Sequence, residues 1–177
     1  MSIKLAPGET RQIDVVLTPL PPQFTNKSFE TGNAAGWSGS RQGLTGLIVR
    51  SSSSNPWELC DGLYYLTFYF WASGKAGDFY EIHQDIDLTF VDIIRFQLRE
   101  CRQAKFEVLV DNDIVYSLKG QTCPVNHPDQ EAVVSQYSGV HTVIFRGTRL
   151  VDSASFDPSE ACSFDFDNPT CFRKEVK

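Results

Sequence analysis

Residues 63–73 read LYYLTFYFWAS, and this stretch decides the fold class. Side chains alternate between the two faces of a β-strand, so Tyr65, Tyr69 and Trp71 share one face and Phe68 lies on the other. Both faces are apolar or aromatic, which is typical of a central strand that is covered on each side. A second layer or the N-terminal segment can bury the tyrosine face. Alternatively, that face is an aromatic platform on which sugar rings stack.

Other short runs predict further strands along the chain. They are GLIVRS, YEIHQDIDL, VDIIRFQLRE, KFEVLVDNDIVYSL, HTVIFRGTRL and CSFDFDN. The segments SSSSNPW, SGKAGD, GQTCPVNHPDQ and VDSASFDPSE between them are rich in turn-forming residues. The 13 Phe, 6 Tyr and 3 Trp stand against one Met, a composition that favours strands over helices. The sequence therefore predicts an all-β sandwich of two antiparallel sheets.

Charge and hydropathy exclude some partners. The formal net charge is -6, and the 16 Lys and Arg form no basic run, so we expect no nucleic-acid partner. No apolar span is long enough for membrane insertion, and the start MSIKLAPGET lacks the sections of a signal peptide. We expect either a chain that stays where it is made or a mature piece of a longer exported protein.

The N-terminal residues 1–23 form a separate segment in this prediction. They contain one strand candidate, RQIDVVLTPL, followed by a stiff Pro-rich linker, and the sandwich domain then covers residues 24–177. The strand could be an edge strand of the domain, the last strand of a domain that was cut away, or a strand offered to a neighbouring molecule for self-association.

One hairpin predicts a disulfide. A tight turn around Asn112 pairs residues whose numbers sum to 224, and Cys101 and Cys123 satisfy this sum. Cys162 and Cys171 flank a strand candidate and are too far apart along it to bridge each other. Because the chain has five cysteines, at least one thiol is unpaired within it.

The stretch SFDFDN near the C-terminus places Asp165 and Asp167 on the same face of a strand. Two carboxylates at this spacing repel each other unless water screens their charges or a cation neutralises them. Solvation is one explanation, and calcium, which binds carboxylate and carbonyl oxygens, is the other.

Several motifs together resemble a known family. In order, they are NKSFETGNAAGW, LYYLTFYFW, IHQDIDLTFVDIIRFQL, FEVLVDNDIVYSL, YSGVHTVIFRG and FDFDN. This series resembles the galactose-binding-like jelly roll of carbohydrate-binding modules and related prokaryotic surface-protein domains. The resemblance covers about residues 24–170 and implies a jelly-roll β-sandwich.

The resemblance also implies site residues. Glu30 and Asp167 match the positions that hold a structural calcium (Ca²⁺) in this family, and Trp37 matches a core anchor. The chain departs from the family pattern after Asn168, where Pro169 stands in place of an apolar residue, and this affects the end of the last strand and the geometry of the ligands.

The sequence does not support catalysis. Residues 36–40, GWSGS, fail the nucleophile motif G-x-S-x-G because the fifth residue is Ser40. His83 shares a strand face with Glu81 and Asp85, an arrangement that is also typical of a solvated face. We therefore expect a protein that is not an enzyme.

The expected function is a non-catalytic carbohydrate-binding or adhesion module for a polysaccharide or surface glycan, located outside the cell or on its surface. Candidate ligand-binding residues are Tyr65, Tyr69, Trp71 and the loop residue Trp57. The alternative is a structural subunit of a virion, tail or extracellular filament that uses its N-terminal strand for subunit contacts.

Overall fold

The computed structural model describes residues 15–20, 23–53, 62–100, 103–120, 125–155 and 163–176. Within these ranges the chain forms eleven strands and one short 3-10 turn. The strands are β1 (Val15–Pro19), β2 (Ser38–Gln42), β3 (Thr45–Ser51), β4 (Tyr64–Phe70), β5 (Phe79–Asp87), β6 (Ile93–Glu100), β7 (Ala104–Val110), β8 (Asp113–Lys119), β9 (Val125–Val133), β10 (Val140–Arg149) and β11 (Ser163–Val176), and the 3-10 turn covers Ser153–Ser155. No helix in this part of the chain is long and apolar enough to cross a membrane.

The strands form two antiparallel sheets that pack face to face. One sheet has the order β3-β4-β11-β6-β9, with β1 also paired to β11, and the other has the order β2-β5-β10-β7-β8. Strands that are neighbours in a sheet but distant in sequence, such as β4 and β11, are typical of a jelly roll. The predicted all-β jelly-roll sandwich is confirmed.

The N-terminal strand belongs to the six-stranded sheet. β1 pairs with the second part of β11, from Phe172 to Val176, whereas β4 pairs with its first part, from Ser163 to Phe166. β1 therefore pairs within its own chain, as we expected for an edge strand of the main domain. The proposed division of the chain at residue 23 stays a prediction.

Phenylalanines from both sheets build the core. The rings of Phe145 and Phe166 lie 4.6 Å apart between centroids, and Phe106 packs against both. Phe164 and Phe166 point into this core, as the alternation in SFDFDN predicts, so Asp165 lies on the opposite face of β11.

The β7–β8 hairpin has the predicted register over most of its length. Lys105 pairs with Lys119 and Val108 with Tyr116, both with the sum of 224, and a bulge after Val108 shifts the pairs next to the turn. Cys101, Cys123 and Trp57 lie outside the described residues.

Residues 125–133 correct one prediction. Residues 125–130 belong to the segment GQTCPVNHPDQ that we assigned to a turn, but together with residues 131–133 they form β9 at the edge of the six-stranded sheet. An edge strand tolerates Pro128 because one side of its backbone has no strand to bond. Pro and polar residues hid this strand from a search for alternating apolar residues.

Candidate functional site

The face of the six-stranded sheet that points away from the core carries the predicted aromatic residues. Tyr69 pairs with Gly46 of β3 and with Ser163 of β11, so these three residues form one row across the sheet. The ring of Trp71, just beyond β4, lies over Gly46. A side chain at position 46 would collide with this ring, because its Cβ would come within 2.8 Å of the Trp71 Cη2 atom. Gly46 therefore makes room for the indole ring.

The backbone holds Trp71 in place. Its amide donates to the carbonyl of Leu44 at 3.2 Å, and its carbonyl accepts a hydrogen bond from the guanidinium of Arg149, which is almost completely buried. The indole packs edge-to-face against Tyr69, with ring centroids 5.3 Å apart, and is 42% exposed. The result is a rigid aromatic surface that is open on one side.

Tyr65 has a different role from the other two aromatic residues. Its side chain is fully buried, with the Arg99 guanidinium 6.0 Å from the ring centroid. Burial, and then the nearby Asp165 carboxylate, raise the pKa of its hydroxyl above the usual value. Tyr65 therefore presents no ring face to a ligand, and of the three predicted aromatic residues that the structure describes, Tyr69 and Trp71 form an accessible surface.

A row of polar side chains runs beside these rings. Thr67 of β4, Asp165 of β11 and Arg99 of β6 are register neighbours. The Thr67 hydroxyl donates to one carboxylate oxygen of Asp165 at 2.6 Å, and Arg99 Nε donates to the other at 2.6 Å. The Arg50 guanidinium of β3 donates to the Thr67 hydroxyl at 3.0 Å. The row therefore joins four strands next to the aromatic surface.

Burial raises the pKa of Asp165 above its usual value, even though Arg99 and Thr67 favour the ionised form. Both oxygens of this carboxylate are already hydrogen-bonded within the protein. This leaves Asp165 poorly suited to bind a metal ion or to transfer a proton.

The carboxylate of Glu30, which matches a calcium ligand of the family, binds backbone amides of the chain. Glu30 accepts hydrogen bonds from the backbone amides of Leu63 and Tyr64, at 2.9 to 3.0 Å. Gly62, at φ +103°, leaves the space for this carboxylate, because a Cβ there would lie 2.5 Å from it. Glu30 therefore fastens the start of β4.

Among the described residues, no three His, Cys, Asp or Glu side chains come together as a metal cluster. Asp167, the other predicted ligand, is completely buried. Glu30 and Asp165 therefore direct their carboxylate oxygens to donors within the protein, and a calcium site at these residues stays a prediction.

A second polar surface lies on the outer face of the five-stranded sheet. A groove of about 460 Å³ there is lined by Ser38, His83, Asp85 and Thr142. The Thr142 hydroxyl donates to Asp85 at 2.7 Å. This surface offers hydrogen-bonding groups, but the residues that line the groove include no Phe, Tyr or Trp.

No family model and no curated protein matches the chain. Among solved structures, it is similar to TmCBM61 in complex with β-1,4-galactotriose, with 17% identity, coverage of 89% of this chain and 100% of that chain, and a TM-score of 0.52. The K2 cleaved adhesin domain of Lys-gingipain is 10% identical, with coverage of 90% and 99% and a TM-score of 0.56. The Stig cyclase Fisc from Fischerella sp. TAU is 13% identical, with coverage of 90% and 98% and a TM-score of 0.53. At these identities the shared property is the fold, and the chain has the jelly-roll fold of these proteins.

Proposed function

We propose that this protein is a non-catalytic carbohydrate-binding module and that Trp71, supported by Tyr69, stacks against a sugar ring. The observation that carries the proposal is the rigid, 42% exposed indole that lies over Gly46. Flat aromatic faces bury the apolar face of a pyranose at a low cost in conformational entropy, because the ring is already held in place.

Polar groups beside the indole would orient the sugar. The hydroxyls of Tyr69 and Ser163 lie in the same row of the sheet as Gly46, and the guanidinium of Arg50 lies further along the same face. Hydroxyl groups and guanidinium donors match the hydrogen-bonding pattern of sugar hydroxyls. Ring stacking would supply affinity, and these groups would supply selectivity for a type of glycan.

The similarity to a carbohydrate-binding module bound to a galacto-oligosaccharide and to an adhesin domain supports a role in binding at a surface. The similarity to a cyclase indicates that this fold also occurs in enzymes. Our preference for a non-catalytic role rests on Asp165. Asp165 is a buried carboxylate that pairs in register with Thr67, two positions from Tyr69, and its oxygens are bonded to Thr67 and Arg99.

Affinity gel electrophoresis tests the proposal. The intact chain, the W71A variant and the control F90A are run through gels that contain β-1,4-galactan, mannan, xylan or mixed-linkage glucan. Phe90 is a suitable control because it is 68% exposed and lies in the loop between β5 and β6, outside the strands that carry Trp71 and Tyr69. We expect at least one polysaccharide to retard the intact chain and F90A, and W71A to lose that retardation. Equal retardation of W71A, or no retardation by any glycan, contradicts the proposal.

Assembly into a larger structure is the second candidate function. β3 lies at the edge of its sheet, and its residue Ile48, two positions after Gly46, is 44% exposed. An edge strand with an exposed apolar side chain can accept a strand from a partner. Light scattering of the intact chain and of I48K tests this candidate, which requires a concentration-dependent mass that I48K abolishes.

A further inference from the structure

We infer that the ammonium of Lys27 joins the two ends of the domain, a role that the family resemblance gives to calcium, so that the fold needs no divalent cation. The Lys27 ammonium donates to Oδ1 of Asn168 at 2.7 Å and to Oγ1 of Thr170 at 3.1 Å. These bonds link the start of the domain to its last strand, across 141 and 143 positions of sequence.

The backbone strengthens this link. The amide of Asn168 donates to the carbonyl of Lys27 at 3.2 Å, so each residue bonds the other through side chain and main chain. Three hydrogen bonds, two of them from a charged donor, thus fix the N-terminal segment on β11.

A bulge in β11 presents the acceptors to the lysine. The register between β11 and β6 shifts between Asp167 and Thr170, and Asn168 has φ +51°. Asn is one of the few residues that adopts this conformation at a low cost, and Pro169 follows it in the bulge. The Asn-Pro pair, which departs from the family pattern, is therefore the feature that turns the Asn168 side chain toward Lys27.

Several other oxygens of the segment also accept hydrogen bonds. The carbonyl of Asn26 accepts hydrogen bonds from the amide of Phe29 and from Nε1 of Trp37, and the carbonyl of Phe29 accepts one from Gly32. The carboxylate of Glu30 is bound to backbone amides, as described above. A calcium ion needs six to eight oxygen ligands, and it would have to displace several of these bonds.

Electrostatics favours the same conclusion. A divalent cation that shared the oxygens of Asn168 and Thr170 with Lys27 would lie close to the positive charge of the ammonium. Like charges at such a distance repel each other strongly in a partly buried site. At the oxygens of Asn168 and Thr170, lysine and calcium therefore exclude each other, and the Lys27 ammonium is the group bound there.

Thermal unfolding of the full chain tests the inference. The melting temperature of the intact protein is measured in excess EDTA and in millimolar CaCl₂, and then compared with K27M, T170V and the control K75M. Lys75 is an exposed loop lysine. We expect the same melting temperature with and without calcium, and a decrease of roughly 3–8 °C in K27M because it loses two charge-assisted hydrogen bonds.

T170V should show a smaller decrease than K27M because it removes one of the two acceptors, and K75M should melt like the intact protein. A melting temperature that rises with calcium and falls with EDTA overturns the inference. An equal melting temperature for K27M and K75M also overturns it, because the Lys27 ammonium would then contribute nothing to stability. If K27M does not fold, T170V and the calcium comparison of the intact protein still decide between these outcomes.

Discussion

The carboxylate of Asp165 accepts a hydrogen bond from Arg99 Nε at 2.6 Å, with side chains that are 5% and 19% exposed respectively. Removing one partner of a buried ion pair leaves the other charge without compensation. We expect R99M to lower the free energy of unfolding at neutral pH by roughly 3 kcal/mol, as measured by urea denaturation.

The same pair predicts a pH dependence. Burial raises the pKa of Asp165, and the loss of Arg99 should raise it further. A carboxyl group with a raised pKa in the folded state destabilises the fold as pH rises through that pKa, so the R99M defect should shrink in acid. The double variant R99M/D165N should recover part of the loss at neutral pH. A defect that is equal at acid and neutral pH contradicts this account.

Phe166 is the centre of the phenylalanine core, within 6.4 Å of Phe68, Phe96, Phe106 and Phe145 between ring centroids. Replacement by alanine creates a cavity that close-packed rings from both sheets cannot fill. We expect F166A to lose roughly 3–5 kcal/mol of unfolding free energy and F166L to lose much less. A loss in F166A no larger than that in F166L would show that the core relaxes around the cavity.

His141 and Asp111 form an exposed pair at the β7–β8 turn, with Nδ1 2.9 Å from the carboxylate. The hydrogen bond to Asp111 raises the pKa of His141 above its usual 6.5, and the same bond lowers the pKa of Asp111 below its usual 3.8. The stabilisation is therefore present between these two usual values. It is lost as pH rises through the raised pKa of His141 or falls through the lowered pKa of Asp111.

The variant D111N isolates this pair. Asn tolerates the φ of +56° at this position and keeps an oxygen for the amide of Thr142. We expect NMR titration to show a lower His141 pKa in D111N, and the difference in melting temperature from the intact protein to disappear in alkali. An unchanged His141 titration would contradict the pairing.

Cys171 is a free cysteine that lies in the core, and burial raises its thiol pKa to about 12. Since the thiolate is the reactive form, the folded protein should protect this residue from alkylation at mildly alkaline pH. Peptide mass spectrometry after iodoacetamide treatment checks this prediction, with protein in denaturant as the reference. Labelling at the same rate in both conditions would contradict the buried placement.

The alternation of side chains predicted most of the fold because it is a local property of each strand. It assigned Phe164 and Phe166 to the core, and the position of the turn at Asn112 gave the register of the β7–β8 hairpin up to the bulge. It missed β2 and β9, which lie at sheet edges, because edge strands need no apolar alternation.

The candidate site was predicted in part. Period-2 alternation placed Tyr69 and Trp71 on one face of β4, but it could not show that Tyr65 on the same face is buried. Arg99 and Arg50 come from other strands, and only the pairing of β6 and β3 with their neighbours brings them to this face. Lys27 was missed because its partners lie more than 140 positions away.

Chemical-shift mapping by NMR tests the central claim, a sugar stacked on Trp71, most directly. An oligosaccharide from the polysaccharide that retards the protein most strongly is titrated into the labelled chain. We predict the largest shifts at the indole Nε1–H of Trp71 and at the amides of β3 and β4. Shifts confined to β5 and β10, around Asp85 and Thr142, would place the ligand on the opposite sheet and contradict the proposed site.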